Sequence, residues 1–257
     1  MTTASSIARQ RLDLEPMDLS PEDKPRDEDE AYRIQAEVNA ALAEKLGPPV
    51  GYKIGCTTPV MQAFLGIPSP CAGEVFVNTV LHRAGKVRRD AYRRLGIECE
   101  IVAEIAQDIV PEKAPFTIDT IADAVGTVMA GIEIVDDRYR DYRSFDIPSL
   151  IADNFFNAGC VLGEPIADWR GLDLGAIEGR TVINGSEVGR GNGSMVLGHP
   201  LAALAWLANS RAKRGQGLAR GRFVFLGSLV ETKWLEKGDA ARIEIDGLGS
   251  LTLTVTA

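Results

Sequence analysis

Hydrophobic and polar positions follow two different periods along this chain, and the change falls near residue 50. In "EDEAYRIQAEVNAALAEKLGPP" the apolar residues Ala31, Ile34, Val38 and Leu42 recur at helical spacing. Acidic residues crowd the first turns, and Gly47-Pro48-Pro49 stops the run. With the polar segment before it, this helix predicts a small helical N-terminal lobe over residues 1–49. From "GYKIG" onward short apolar runs alternate with glycine and proline. They predict strands at 50–55, 75–82, 97–106, 128–136, 159–163, 180–184, 223–226, 240–246 and 249–256. Helices are fewer: one near 118–125, one over 148–157, and one in "HPLAALAWLANSRAKRG", with Pro200 in its first turn and Gly215 past its end. "VINGSEVGR" carries an Asn-Gly turn between apolar flanks, a hairpin signal. Strands in succession with few crossover helices predict a β-rich α+β unit over 50–257, not a doubly wound sheet.

One predicted strand contains an anomaly. In "RLGIECEIV", residues 94–102, Glu98 and Glu100 flank Cys99 among side chains that favour burial. Strand alternation points both glutamates to one face and Cys99 to the other. Two adjacent carboxylates on an apolar strand repel each other and lose hydration, so solvent, a basic partner or a cation must offset them. A second strand, "VMAGIEIVDDRYRDY", places Glu133 between Ile132 and Ile134, followed by Asp136, Asp137 and Arg138. Glu98, Glu100 and Glu133 together would make an all-oxygen site suited to magnesium or manganese, while no His/Cys arrangement suits zinc. The alternative is that each glutamate meets water at a sheet edge or an arginine. Glu104 shares the parity of the pair but lies about 13 Å beyond Glu100 at strand rise, outside such a site.

Composition narrows the partners. The 257 residues are 45% hydrophobic and 25% charged, with a net charge of -8 and a pI near 5.0. That balance argues against nucleic acid or a membrane surface as partner. No apolar run reaches the length of a membrane span, and "MTTASSIARQRLDLEP" has no signal-peptide apolar region, so a cytoplasmic protein is expected. Cys56, Cys71, Cys99 and Cys160 form no C-x-x-C pair and read as free thiols.

"GYKIGCTTPVMQAFLGI", "GIECEI", "GIEIVDDRY", "LIADN", "VLGHP" and "FLGSL" occur in this order. Together they resemble the 2-keto-4-pentenoate hydratase / 4-oxalocrotonate decarboxylase group of the fumarylacetoacetate hydrolase superfamily, from about residue 30 to the end. The resemblance implies a mixed β-roll, a small-molecule 2-oxo acid substrate, and a divalent metal, Mg2+ or Mn2+, on Glu98, Glu100 and Glu133. It also implies a homo-oligomer and a role in catabolism of aromatic compounds. Lys53 in "YKIG" matches the family's lysine beside the substrate. Three carboxylates and a divalent cation leave about one negative charge, which an ammonium would offset while hydrogen-bonding a developing enolate. The alternative is an ammonium reaching the surface along its alkyl stem. Ser228 in "FLGSL" matches a Gly-Ser loop near the site, where its hydroxyl can bind a carboxylate; a turn serine is the other reading.

The departures matter too. Where many hydratases of this group read "PDYG", this chain reads "PCAG", so Cys71 replaces an acid thought to act in catalysis. After "ADN" the usual serine-containing stretch is "FFNAG", with Phe156 and Asn157 in its place. "GSLVETKWL" adds Lys233 and Trp234. "GRGNGSMVLG" does not fit a phosphate-binding loop, His199 reads as structural, and His82 lies in a basic segment read as a solvated face.

These features lead to a metal-dependent hydro-lyase. It would add water to a 2-hydroxy-2,4-dienoate / 2-oxo-enoate to give a 4-hydroxy-2-oxo acid. Lys53 is the candidate catalytic group, and Ser228, Asn157 and Cys71 the candidate substrate contacts. The alternatives are decarboxylation of a 2-oxo dicarboxylic acid, hydrolysis of an acylpyruvate, or a non-catalytic 2-oxo acid binding protein. No Glu-His water-activating pair supports the hydrolase.

Overall fold

The computed structural model describes residues 2–257, and their side chains apart from those of Phe64, Leu65 and Ser144. Its helices are α1 (Thr3–Leu12), α2 (Glu28–Leu46), α3 (Pro59–Leu65), α4 (Ile118–Ala122), α5 (Ile147–Ala152) and α6 (Pro200–Lys213). The first strands are β1 (Pro49–Gly55), β2 (Cys71–Phe76), β3 (Val80–His82), β4 (Ala84–Arg88), β5 (Leu95–Ile105) and β6 (Val125–Asp136). β7 (Asn157–Leu162), β8 (Glu178–Ile183), β9 (Ser186–Asn192), β10 (Phe223–Trp234), β11 (Ala240–Ile245) and β12 (Gly249–Thr256) complete them. The mixture is the α+β, β-rich arrangement expected from the pattern.

Seven strands form one sheet in the order β2-β1-β10-β5-β6-β7-β3, and five form a second, β4-β12-β11-β8-β9. Val75 from β2, Val102 from β5, Met129 from β6, Cys160 and Leu162 from β7, and Phe223 and Phe225 from β10 make one buried cluster. Strands from both ends of the order meet there, so the larger sheet curls into a roll with this face inside. Gly131 permits the close approach: a Cβ there would lie 2.4 Å from Val102 Cγ1's partner methyl, Cγ2, and 2.6 Å from Phe225 Cε1. The outer face carries Ile97, Cys99, Ile101 and Ala103 of β5 into the main core, where the second sheet packs.

α1 and α2 lie outside the roll and share that core through Ala4, Ile7, Ala8, Ile34, Val38 and Leu42. Asp27 caps α2 by accepting from Glu30 N, and Gly47 ends it at φ 73°. α2 is tied to β2 and α5: Gln35 Nε2 donates to Ala72 O (2.8 Å) and Ile151 O (2.7 Å), and Ala72 N–H donates to the Tyr32 hydroxyl (3.0 Å). The Asn184-Gly185 hairpin joins β8 to β9 with φ 51° and 83° at its two turn residues.

Several elements differ from the expectation. α1 was hidden because its buried face consists of Ala4, Ile7, Ala8 and Gln10, too weak a stripe to stand out among polar residues. α3 does carry signals, with Thr58 as N-cap, Pro59 at its first position and Gly66 beyond its end. The expected strand 75–82 is two strands separated by a turn at Val77–Thr79. The segment around His82, expected as a solvated loop, holds β3 and β4, although His82 itself is exposed. β10 runs on to Trp234 through three register shifts, because Glu231 and its polar neighbours lie at a bulged sheet end. α5 stops at Ala152, five residues before the expected end.

Candidate metal and substrate site

β5 and β6 pair antiparallel with Glu98 opposite Glu133 and Glu100 opposite Gly131. One oxygen from each of Glu98, Glu100 and Glu133 lies within 4.8 Å of the others. Glu100 and Glu133 are buried and Glu98 is half-buried. Cys99 points the other way, its Sγ 4.0 Å from Arg180 O on β8. Each carboxylate is aimed by a hydrogen-bond donor. Gly227 N–H donates to Glu100 Oε2 (2.8 Å), the Thr232 hydroxyl to Glu98 Oε1, and Asn157 Nδ2 to Glu133 Oε1 (3.0 Å). Glu100 Oε1 and Glu133 Oε2 are buried without a hydrogen-bond partner.

This arrangement is costly when nothing else occupies it. Two unit charges 4.8 Å apart repel by about 3 kcal/mol at an effective dielectric near 20. Burial, with Glu133 and Glu98 nearby, pushes the Glu100 carboxyl well above its ordinary range, against the pull of Gly227 N–H and Lys53. Burial likewise pushes Glu133 up to about 7, with Lys53 opposing and Glu98 adding to the rise. Burial alone would lower the Lys53 ammonium, but Glu133, Glu98 and Glu100 outweigh it and hold the lysine above its ordinary value.

Lys53 does not reach the surface. β1 turns it into the roll, 2% exposed, with Nζ 3.2 Å from Glu133 Oε1. Phe155 covers it, its ring centroid 5.1 Å from Nζ, a cation–π contact. Phe155 stands in a run of three left-handed residues, Asn154 (φ 62°), Phe155 (φ 47°) and Phe156 (φ 65°). Such a conformation costs each phenylalanine about 1–2 kcal/mol, whereas asparagine adopts it more readily. The run replaces the end of the expected helix and delivers Asn157 to Glu133.

The other expected residues are placed as follows. Ser228 sits opposite Glu100 on β10, not in a turn, with its hydroxyl donating to Val230 O. Cys71 opens β2 opposite Gly55, buried, and burial raises its thiol well above the ordinary range; Cys56 and Lys53 are among the groups it feels. Lys233 pairs with Glu231 (2.6 Å), and Trp234 stacks on the Arg94 guanidinium (3.9 Å), so neither joins the carboxylates. Thr232, one residue earlier, does. His199 caps α6, its Nδ1 accepting from Leu201 N–H (3.1 Å). Glu104 accepts from the Thr127 hydroxyl (2.8 Å), apart from the cluster. Gly227, Thr232 and Phe155 were not legible as site residues, since a backbone N–H, a strand hydroxyl and a left-handed phenylalanine leave no spacing signature.

The donor set fits a divalent cation: three hard oxygen ligands converge, and two of their buried oxygens lack any other partner. Comparison with known proteins agrees on the kind of molecule. Residues 68–256 match the family model described as fumarylacetoacetate (FAA) hydrolase C-terminal. The chain is 34% identical over 229 residues to a 2-keto-4-pentenoate hydratase of Burkholderia vietnamiensis, covering 88% of this chain and 85% of that one. It is 32% identical over 228 residues to a 4-oxalocrotonate decarboxylase of Pseudomonas putida, covering 87% and 83%. The solved 4-oxalocrotonate decarboxylase of Pseudomonas putida G7, complexed with magnesium and adipate, superposes with a TM-score of 0.91 at 27% identity, covering 98% and 95%.

The chain therefore belongs to the fumarylacetoacetate hydrolase family. Within it, this is an enzyme similar to the hydratases and decarboxylases that match most of its length.

Proposed function

We propose that the protein is a metal-dependent hydro-lyase acting on a 2-hydroxy-2,4-dienoate, or its 2-oxo-enoate tautomer, and releasing a 4-hydroxy-2-oxo acid. The observation that carries this is the carboxylate trio with two orphaned buried oxygens, beside a buried lysine. Mg2+ or Mn2+ on Glu98, Glu100 and Glu133 would bind the substrate's 2-oxo acid end and stabilise negative charge on its C2 oxygen. The chain's own groups do the rest. Gly227, Thr232 and Asn157 fix the carboxylate orientations. Lys53 balances the residual charge and transfers the proton as the dienol becomes the conjugated ketone. Once the carboxylates are neutralised, desolvation becomes the larger influence on Lys53 and eases release of its proton. Phe155 keeps bulk water from the ammonium. Asn157 and Ser228 would hold the water that adds at C4, and Cys71 would contribute a neutral wall.

Decarboxylation of a 2-oxo dicarboxylic acid is the second reading, favoured by the similarity to the 4-oxalocrotonate decarboxylases. Its substrate brings a second carboxylate. Among the described residues the buried bases are Lys53 and Arg138, and Arg138 is committed to Asp153. This favours the hydratase. The same proposal includes a cytoplasmic homo-oligomer working in catabolism of aromatic compounds, as the resemblance implies. Among the described residues no helix is long and apolar enough to cross a membrane. Incubation with Mg2+ or Mn2+ and 2-hydroxypenta-2,4-dienoate should consume the dienoate without gas release. Evolution of CO2 from 4-oxalocrotonate, with the dienoate untouched, would reverse the order of the two readings.

A further inference from the structure

The wall of the site is a strained segment, held in place by strands of the roll and by two helices outside it. After α5 the three left-handed residues Asn154, Phe155 and Phe156 contain no glycine to make that conformation easy. Residues in such conformations persist only where their surroundings over-determine them. Here the surroundings are specific. Asn154 Oδ1 accepts from Glu74 N–H (2.7 Å), and its Nδ2 donates to Glu74 O (2.8 Å), pinning the segment to β2. Asn39 of α2 donates to the same Oδ1 (3.3 Å). Phe156 O accepts from Asp136 N–H (3.0 Å).

The far end is held from 146 residues away in sequence, where Arg11 Nη2 of α1 donates to Asn157 O. Arg11 lies among Asp153, Arg138, Asp136 and Tyr139. Asp153 is fixed in turn by Arg138 and by the Tyr139 hydroxyl (2.8 Å). The segment then presents Phe155 to Lys53 and Asn157 Nδ2 to Glu133 on its inner side.

We infer that Arg11 and Asn154 are positioning residues of the site. Arg11 holds the Asn157 carbonyl and Asn154 holds the turn, so that the Asn157 amide stays on Glu133 and the Phe155 ring stays over Lys53. α1 and α2 are thereby part of the machinery that shapes the site. The inference rests on the metal-site reading above and adds to it a clamp outside the roll.

The test compares Arg11→Met, Arg11→Lys and Asn154→Gly with the wild-type protein. Glycine suits the left-handed backbone at position 154, so this variant removes the clamp without adding strain. Two measurements are made below the melting range: Mn2+ affinity by calorimetry, and hydrogen–deuterium exchange of the peptide spanning 153–160 in metal-free buffer. Arg11→Met and Asn154→Gly should weaken Mn2+ binding about tenfold, the lower end of losses typical for groups that orient metal ligands. Exchange should rise in that peptide and stay unchanged in β11 and β12. Arg11→Lys, which keeps a donor without the fork, should recover part of both. Folded variants with Mn2+ affinity within about twofold of wild type would overturn the inference, because the clamp would then be merely structural. If Arg11→Met does not fold, Asn154→Gly decides alone. Failure of the wild type to bind Mn2+ would sink the metal reading instead, and unchanged exchange in the variants would still sink the clamp.

Discussion

Glu133→Gln should invert part of the protein's response to pH when no metal is present. The Glu133 carboxyl titrates near 7 in the fold, against an ordinary value of 4.5. The folded protein therefore holds this proton more tightly than the unfolded chain does. The stability it contributes is full below about pH 4.5 and is lost as pH rises through 7. The rise from 4.5 to about 7 corresponds to about 3 kcal/mol. Unfolding entropy of about 2.1 cal/mol/K per residue gives roughly 0.5 kcal/mol/K for 257 residues, so the loss amounts to about 6 °C in Tm. Glu100 is raised in the same direction by burial and partly by the Glu133 charge, so Glu133→Gln also lessens its share of the slope and widens the difference. His199 is lowered by burial and acts in the opposite sense, but it is common to both and cancels in the difference. Calorimetric melts in chelator between pH 5 and 8 should show the wild type falling relative to Glu133→Gln by several degrees. Mg2+ at a hundred times its Kd should then restore about 2.7 kcal/mol, roughly 5 °C, to the wild type alone. Parallel Tm profiles for the two proteins would refute the reasoning, because Glu133 would then not be a carboxylate held neutral by its neighbours.

Glu100→Ala should abolish metal-dependent turnover while leaving the metal-free Tm equal or higher, since it removes a buried like charge; unfolded protein in chelator would instead make Glu100 structural. Lys53→Arg should lose most turnover, more than tenfold, because arginine keeps its proton at any working pH, whereas a largely active variant would reduce Lys53 to charge balance. Lys53→Met should bind Mg2+ equally or more tightly and turn over little; near-normal rates would move the acid–base role toward Cys71 and Asn157. His199→Ala should cost about 1 kcal/mol through loss of the α6 cap, and His199→Ser should restore most of it, both read as Tm.

Legibility in the sequence followed how local each signal was. α2, α6, the Asn184 hairpin and the long strands β5 and β6 announce themselves through caps and periodicity within one element. The parity of Glu98 and Glu100 in β5 therefore survives intact, and the pairing of β5 with β6 brings Glu133 opposite Glu98. Features set by contacts between distant segments were not readable. α1 is stabilised by its packing on α2 and by Arg11 reaching Asn157, not by its own amphipathy. The left-handed run at Asn154–Phe156 looked like the end of a helix because "LIADNFFN" has the composition of one; hydrogen bonds to β2 override that preference. Lys233 and Trp234 are the unusual residues of this stretch, yet the register shifts in β10 turn Thr232 toward Glu98 instead.

Cys71, where the resemblance leads one to expect an acid, bears on the proposed chemistry, and its physics runs in one direction. Burial pushes the Cys71 thiol well up and Cys56 to about 12, so neither supplies a thiolate at neutral pH. Both feel the charge of Lys53. An aspartate at position 71 would add a fourth carboxylate to the three that already hold the lysine's proton. A neutral thiol leaves that proton less tightly held, which would suit the proton transfer proposed for Lys53. It also adds no carboxylate of its own to share the work. On the proposed reading the acid–base burden would fall on Lys53, the one buried base beside the carboxylate trio among the described residues.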